Sequence, residues 1–162
     1  MTFDRAYEKT ASFEGGWSDH PNDAGGRTSF GITQHLAARY NYRVEDVTPE
    51  IAKAIMRGEF WERTKVEKIP TSLIAHYMFD WCVNSGPNAV KKMQRVLGVM
   101  DDGVIGPVTI AKIKHEDQFL LLRKLMVRRM KNAIAYCEHD ERQYVFVRGW
   151  AQRFFAEVWT RP

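Results

Sequence analysis

An acidic residue, Glu14, stands where an amphipathic run meets two glycines, in Phe13-Glu14-Gly15-Gly16-Trp17. Phe3, Ala6, Tyr7, Thr10 and Phe13 recur at three- and four-residue steps, which predicts a helix over residues 3–13 with Glu14 at its C-terminal end. A carboxyl there sits beside the negative end of the helix dipole, which disfavours its ionised form, and partial burial against Phe13 or Trp17 acts in the same direction. A raised pKa is what a carboxyl needs to donate a proton near neutral pH. The stretch from Ser18 to Ile32 is small, polar and rich in turn formers, so it adds little to a core and reads as a functional loop. It carries Asp23, with Asp19 as a rival carboxylate, and the hydroxyls of Thr28 and Ser29. An acid that protonates a leaving oxygen, with a second oxygen group that stabilises positive charge or orients water, is the chemistry of glycosidic bond cleavage. Glu14 is therefore read as the catalytic acid, Asp23 as the second carboxylate, and Thr28 or Ser29 as the hydroxyl that holds water. Trp17 offers a flat face to a sugar ring.

The elements that must position these groups read as helices. Thr48-Pro49-Glu50 is a helix start, with an N-cap oxygen, a proline at the first helical position and an early acid, and predicts a helix to about residue 63. Pro70-Thr71 opens a helix that is apolar nearly all round apart from His76 and Asp80, the pattern of a central buried element. Asn84-Ser85-Gly86-Pro87 ends it. Further helices are predicted over residues 88–97, 107–114, 117–137 and 141–159. In the long one, Leu121, Leu122, Leu125, Met126, Met130 and Ile134 form the expected inner stripe. In the last, Phe146, Trp150, Phe154 and Val158 align at four-residue steps. Residues 29–33 are the one short stretch read as a strand.

Composition bounds the function. An apolar fraction of 44% and aromatic content of 12% in 162 residues suit one globule with a proper core. The net charge of +4 draws the protein towards polyanions. Lys112, Lys114, Arg123, Lys124, Arg128, Arg129 and Lys131 read as a solvated basic helix face that could meet an anionic envelope surface. No nucleic-acid module is recognisable, so no nucleic-acid partner is expected. The histidines show no HxxxH or HExxH spacing, which argues against a zinc amidase, and no metal or cofactor is expected. Cys82 and Cys137 read as buried free thiols. The N-terminal residues lack the apolar run of a secretory signal, and no 18-residue window is apolar enough to span a membrane.

Glu14-Gly15-Gly16-Trp17, followed by the loop ending in Gly25-Gly26-Arg27-Thr28-Ser29-Phe30-Gly31-Ile32-Thr33, resembles the signature of the glycoside hydrolase 108 muramidases. That family has an EGG-aromatic motif and then an acidic loop leading to GG-x-T-x-(F/Y)-GIT. Phe79-Asp80-Trp81-Cys82-Val83-Asn84-Ser85-Gly86 resembles its second block, and the spacing from Glu14 through Asp23 to Thr28 or Ser29 is similar to the Glu-Asp-Thr triad of phage-type lysozymes, with the hydroxyl register shifted by one at Thr28. Met93 to Val99, Asp102-Gly103, Gly106-Pro107-Val108-Thr109 and Arg148-Gly149-Trp150 resemble the predicted peptidoglycan-binding region that accompanies the family.

The resemblance implies a mainly α, lysozyme-like helical globule with at most a small β-hairpin near the active site. A catalytic region over residues 1–90 and a peptidoglycan-binding region over residues 91–162 are expected to pack into one globule. It implies peptidoglycan as substrate, cleaved at the β-1,4 bond from N-acetylmuramic acid to N-acetylglucosamine, with Glu14 essential. Trp17, Asp19, Ser29, Gln34, Asp80 and Asn84 are the candidate saccharide contacts. A lytic transglycosylase using the same acid, or a muramidase assisting secretion, are the alternatives to a phage or prophage endolysin. The protein is expected to be a monomer, made in the host cytoplasm without a signal peptide and released through a holin pore to reach the wall.

Overall fold

The computed structural model describes residues 1–13, 15–20 and 26–159, with side chains to residue 156. Its first helix, α1 (Phe3–Ala11), buries Phe3, Ala6 and Thr10. It ends two residues before the spacing suggests, because the Ser12 hydroxyl donates to the Lys9 carbonyl at 2.7 Å and the Phe13 N–H to that of Thr10. Three two-residue strands follow, β1 (Trp17–Ser18), β2 (Thr28–Ser29) and β3 (Ile32–Thr33), paired antiparallel in that order. Trp17 stands opposite Ser29, and Thr28 opposite Thr33. The expected hairpin is thus the β2–β3 pair of a three-stranded sheet with β2 in the middle. Its turn holds Phe30 and Gly31 at φ of 48° and 76°, positive at both positions as the twist of a two-residue hairpin turn requires.

Thr33 caps α2 (Gln34–Arg39) and Thr48 caps α3 (Pro49–Met56), each hydroxyl accepting an N–H of the first turn. Beyond Met56 the helix widens into a π-helical turn, Arg57–Glu62, that turns three consecutive residues inward, Glu59, Phe60 and Trp61. The buried Glu59 carboxylate is held there by Arg39, Arg63 and the Tyr40 hydroxyl.

The central element is α4 (Ser72–Ser85), in which residues 74–82 are buried without interruption. Gly86 ends it at φ 79°. Around it pack α1, α5 (Ala89–Leu97) and α7 (Gln118–His139), and α8 (Val147–Trp159) lies against α7. Between α5 and α6 (Pro107–His115) the turn is knotted by one side chain. Buried Gln94 donates to Asp102 Oδ1, the Val104 carbonyl and Thr109 Oγ1, and accepts the Gly103 N–H. Those contacts account for most of the Asp102-Gly103…Thr109 pattern as a folded turn.

The inner face of α7 departs from the expected stripe. Its buried positions are Leu121, Leu122, Leu125, Met126, Arg129, Ala133 and Cys137, whereas Ile134 is exposed. Arg129, read from sequence as part of a solvated basic face, is buried because a carboxylate waits for it on α4. Cys82 and Cys137 are buried free thiols, and burial pushes the Cys82 thiol up to about 12.

Candidate active site

The sheet and the end of α4 face the C-terminal helices across a cavity of about 740 Å³. Thr28, Gly31 and Thr33 line it from the sheet, Asn84 and Ser85 from α4, and Lys92 from α5. Arg129, Asn132, Tyr136 and His139 reach it from α7, and Trp150 and Arg153 from α8. Aromatic faces mixed with a few directed polar groups, in a cavity of this size, are the makings of a ligand site.

Strand parity separates the two hydroxyls that spacing leaves open. Ser29 is 5% exposed and donates to the Val47 carbonyl at 3.2 Å, so its hydroxyl is engaged in the interior. Thr28, its neighbour on the opposite face of β2, is half-buried and lines the cavity.

Beneath the cavity runs a charged cluster. Arg129 Nη1 donates to Asp80 Oδ2 at 2.8 Å, and Arg153 Nε to Asp80 Oδ1 at 2.9 Å. Arg129 Nη2 donates to Asn84 Oδ1 at 3.2 Å. The Arg129 guanidinium also lies 4.1 Å from the Phe154 ring centre. Burial alone would raise the Asp80 pKa, but the two guanidiniums win and hold it below the usual carboxylate range. The sequence pattern offered Asp80 as a saccharide contact. In the fold both its oxygens are taken and it is an anchor, while Asn84 remains on the cavity wall.

Glu14 and Asp23 lie outside the described residues. The Phe13 ring lies 5.7 Å from the Arg153 guanidinium, and the His20 ring meets Phe146 edge-on at 5.1 Å. Trp17, Asp19 and Gln34 are exposed, and among the described residues none of the three lines the cavity. Sequence reasoning passed over Lys92, Asn132 and Arg153 and placed Arg129 on a solvated basic face rather than at the cavity. One signal was available for the arginines: a lone Asp80 in an apolar helix demands a cation, and Arg129 falls four residues after Leu125 and four before Ala133.

Residues 7–86 match the family described as Glycosyl hydrolase 108, and residues 88–155 match the one described as Predicted Peptidoglycan domain. The solved structure of Brucella abortus SagA is similar at 31% identity and a TM-score of 0.82, over 96% of this chain and 90% of that one. The chain belongs to the glycosyl hydrolase 108 family. No curated protein sequence matches it. A glycosidase region joined to a peptidoglycan region makes this family member a peptidoglycan hydrolase, and peptidoglycan its partner. The cavity draws its walls from both matched regions, with Thr28 and Asn84 from the first and Asn132 and Trp150 from the second.

Proposed function

We propose that the protein is an N-acetylmuramidase that cleaves the β-1,4 bond from N-acetylmuramic acid to N-acetylglucosamine. In this reading Glu14 protonates the glycosidic oxygen as the C1–O bond breaks. Water adds to C1 and passes its proton to Asp23, with the Thr28 hydroxyl orienting that water, and the carboxyls then return to their starting protonation. The observation that carries the reading is the cavity shared by the two matched regions, with Thr28 on its wall. The contact of Phe13, the residue before Glu14, with the cavity residue Arg153 supports it. Tyr136 and Trp150, with ring centres 6.2 Å apart on that cavity, supply the aromatic surface that sugar rings favour.

Glu14→Gln tests the proposal. The variant is expected to keep its helicity and wall binding while hydrolysis of purified peptidoglycan falls by about 10²–10⁴-fold. Full activity would remove Glu14 from the mechanism. Mass spectrometry of the wild-type products reads the bond cleaved. Reducing N-acetylmuramic ends support hydrolysis there, and 1,6-anhydro ends, lighter by one water, turn the reading to a lytic transglycosylase.

The same proposal has the enzyme reach the wall from the cytoplasm through a holin pore, so that its outcome is lysis. Co-expression with a holin should lyse cells and expression alone should not.

A further inference from the structure

The outer face of α7 carries a pattern that neither the core nor the cavity uses. Leu120, Val127 and Ile134, at seven-residue steps, are 49%, 55% and 43% exposed. At about 100° per residue the three share one face of the helix, and the line from Leu120 to Ile134 runs about 21 Å along its axis. Arg123 flanks that line on one side and Lys131 and Arg128 on the other, all three exposed. Lys124 pairs with Glu116 at 2.9 Å, but among the described residues Arg123, Arg128 and Lys131 have no carboxylate partner. The helix holds no Asp or Glu from Gln118 to Cys137. None of Leu120, Arg123, Val127, Arg128, Lys131 and Ile134 lines the cavity, whereas Arg129, two positions after Val127 and so on the opposite face, does.

Single exposed aliphatic side chains are ordinary on a protein surface. An aliphatic line flanked by cations without partners is the pattern of a helix that lies in a bilayer interface, its apolar side chains at the acyl boundary and its charges among the phosphates. Charge decides between the occupants that could cover it. A second copy of the chain would bury the line as a heptad seam, but it would set Arg123, Arg128 and Lys131 against their own counterparts with no acid on the face to offset them. A soluble polyanion would meet the cations and leave the aliphatic line in water. An anionic lipid surface takes both. We propose that the outer face of α7 docks the protein on an anionic phospholipid bilayer, with α7 lying along the surface and the cavity left open on the helix's other side. Docking of this kind would hold a peptidoglycan hydrolase beside the polymer it cuts. It stands apart from the muramidase chemistry, because lipid binding is read without any glycan present.

The test is co-sedimentation of the full chain with vesicles of phosphatidylglycerol and phosphatidylcholine in equal parts, against vesicles of phosphatidylcholine alone. The wild-type protein should partition onto the anionic vesicles, release progressively as salt rises, and ignore the neutral ones. The triple variant Arg123→Gln, Arg128→Gln, Lys131→Gln should weaken that partition by about 10²-fold, at roughly fivefold per cation. Leu120→Ser, Val127→Ser and Ile134→Ser together should weaken it by about tenfold or more. Both variants should keep wild-type helicity and wild-type release of product from purified, lipid-free peptidoglycan, which separates lost docking from lost folding. Val127→Trp, at an exposed position, should instead tighten binding and move the indole emission to the blue on anionic vesicles. Absence of binding to anionic vesicles overturns the proposal, as does equal binding to neutral ones. Binding that the cation variant abolishes and the serine variant leaves intact assigns the face to a soluble polyanion and overturns the lipid occupant. A dimer in analytical ultracentrifugation that the serine variant splits, with no vesicle binding, assigns it to a second copy. Vesicle docking by a protein that releases no muropeptides would leave this proposal standing while the hydrolase reading fell.

Discussion

Two adjacent hydroxyls, Thr28 and Ser29, have opposite fates, and the difference makes opposite predictions. Thr28 fronts the cavity, and Ser29 points inward to the Val47 carbonyl. Thr28→Val should therefore lower kcat on peptidoglycan by roughly 10²-fold, since orienting water matters in the transition state, with KM and urea stability little changed. Ser29→Ala should cost about 1 kcal/mol of stability, the scale of one buried hydrogen bond, and leave kcat near wild type. Steady-state product release and urea unfolding on both variants read the contrast, and a Ser29→Ala enzyme as slow as Thr28→Val would reverse the assignment. Spacing from Glu14 could not separate these residues because they differ by one position. The choice depends on which face of β2 meets the core, and that is set by pairing with β1 and β3 rather than by local sequence. The reading of Glu14 rests on another kind of signal, a local one: two glycines after an amphipathic run, a backbone signature that needs no distant partner to be read.

Among the elements, α4, α7 and α8 are held in register by one carboxylate. Asp80 joins Arg129 and Arg153 from three helices, with all three side chains nearly buried. Removing only the acid leaves two guanidiniums inside the protein, so Asp80→Asn should cost about 3–5 kcal/mol in urea unfolding. A loss under about 1 kcal/mol would show that water reaches the cluster. The pH dependence has a definite sign. Arg129 and Arg153 hold the folded-state pKa of Asp80 below its ordinary 3.8 even though burial pushes the other way. As pH falls the unfolded chain takes up this proton first. The cluster's stabilisation is thus complete above the unfolded value and is lost as pH drops through the lowered folded one. Wild type should lose stability as pH falls below about 3.8, and Asp80→Asn should lack that part of the slope.

Helix starts and stops were legible wherever a cap carried them, as at Thr48-Pro49, Asp117, Gly86 and Gly98. The inner face of α7 was not, because an arginine among leucines looks solvated until its partner is known to lie 49 residues away in the chain. The π-helical turn was equally hidden, since Glu59 gathers partners from α2 as well as its own helix.

At the scale of the whole molecule, the chain divides by family match near residue 87, but its core does not. Phe3, Ile32 and Val47 belong to the same buried cluster as Val90, Leu121 and Met126, with α4 packed against α5 and α7. The charged cluster and the cavity cross the same line. A mainly helical globule was legible from periodicity. That two motif-bearing halves share one interior was only partly so, because a buried α4 demands a cover without naming it. This interior argues for one cooperative unit of folding and of binding. Calorimetric melting should give a single transition whose measured enthalpy equals the van't Hoff enthalpy. A fragment of residues 1–87 should fail to fold on its own, because Ile74, Met78 and Trp81, each almost wholly buried in the intact chain, would lose the helices that cover one side of α4. Such a fragment should bind a hydrophobic dye, show no cooperative melt and release no muropeptides, even though it retains Glu14, Asp23 and Thr28. An active, cooperatively melting fragment would instead make the second region a separable attachment. It would also remove the reason for its residues to line the cavity.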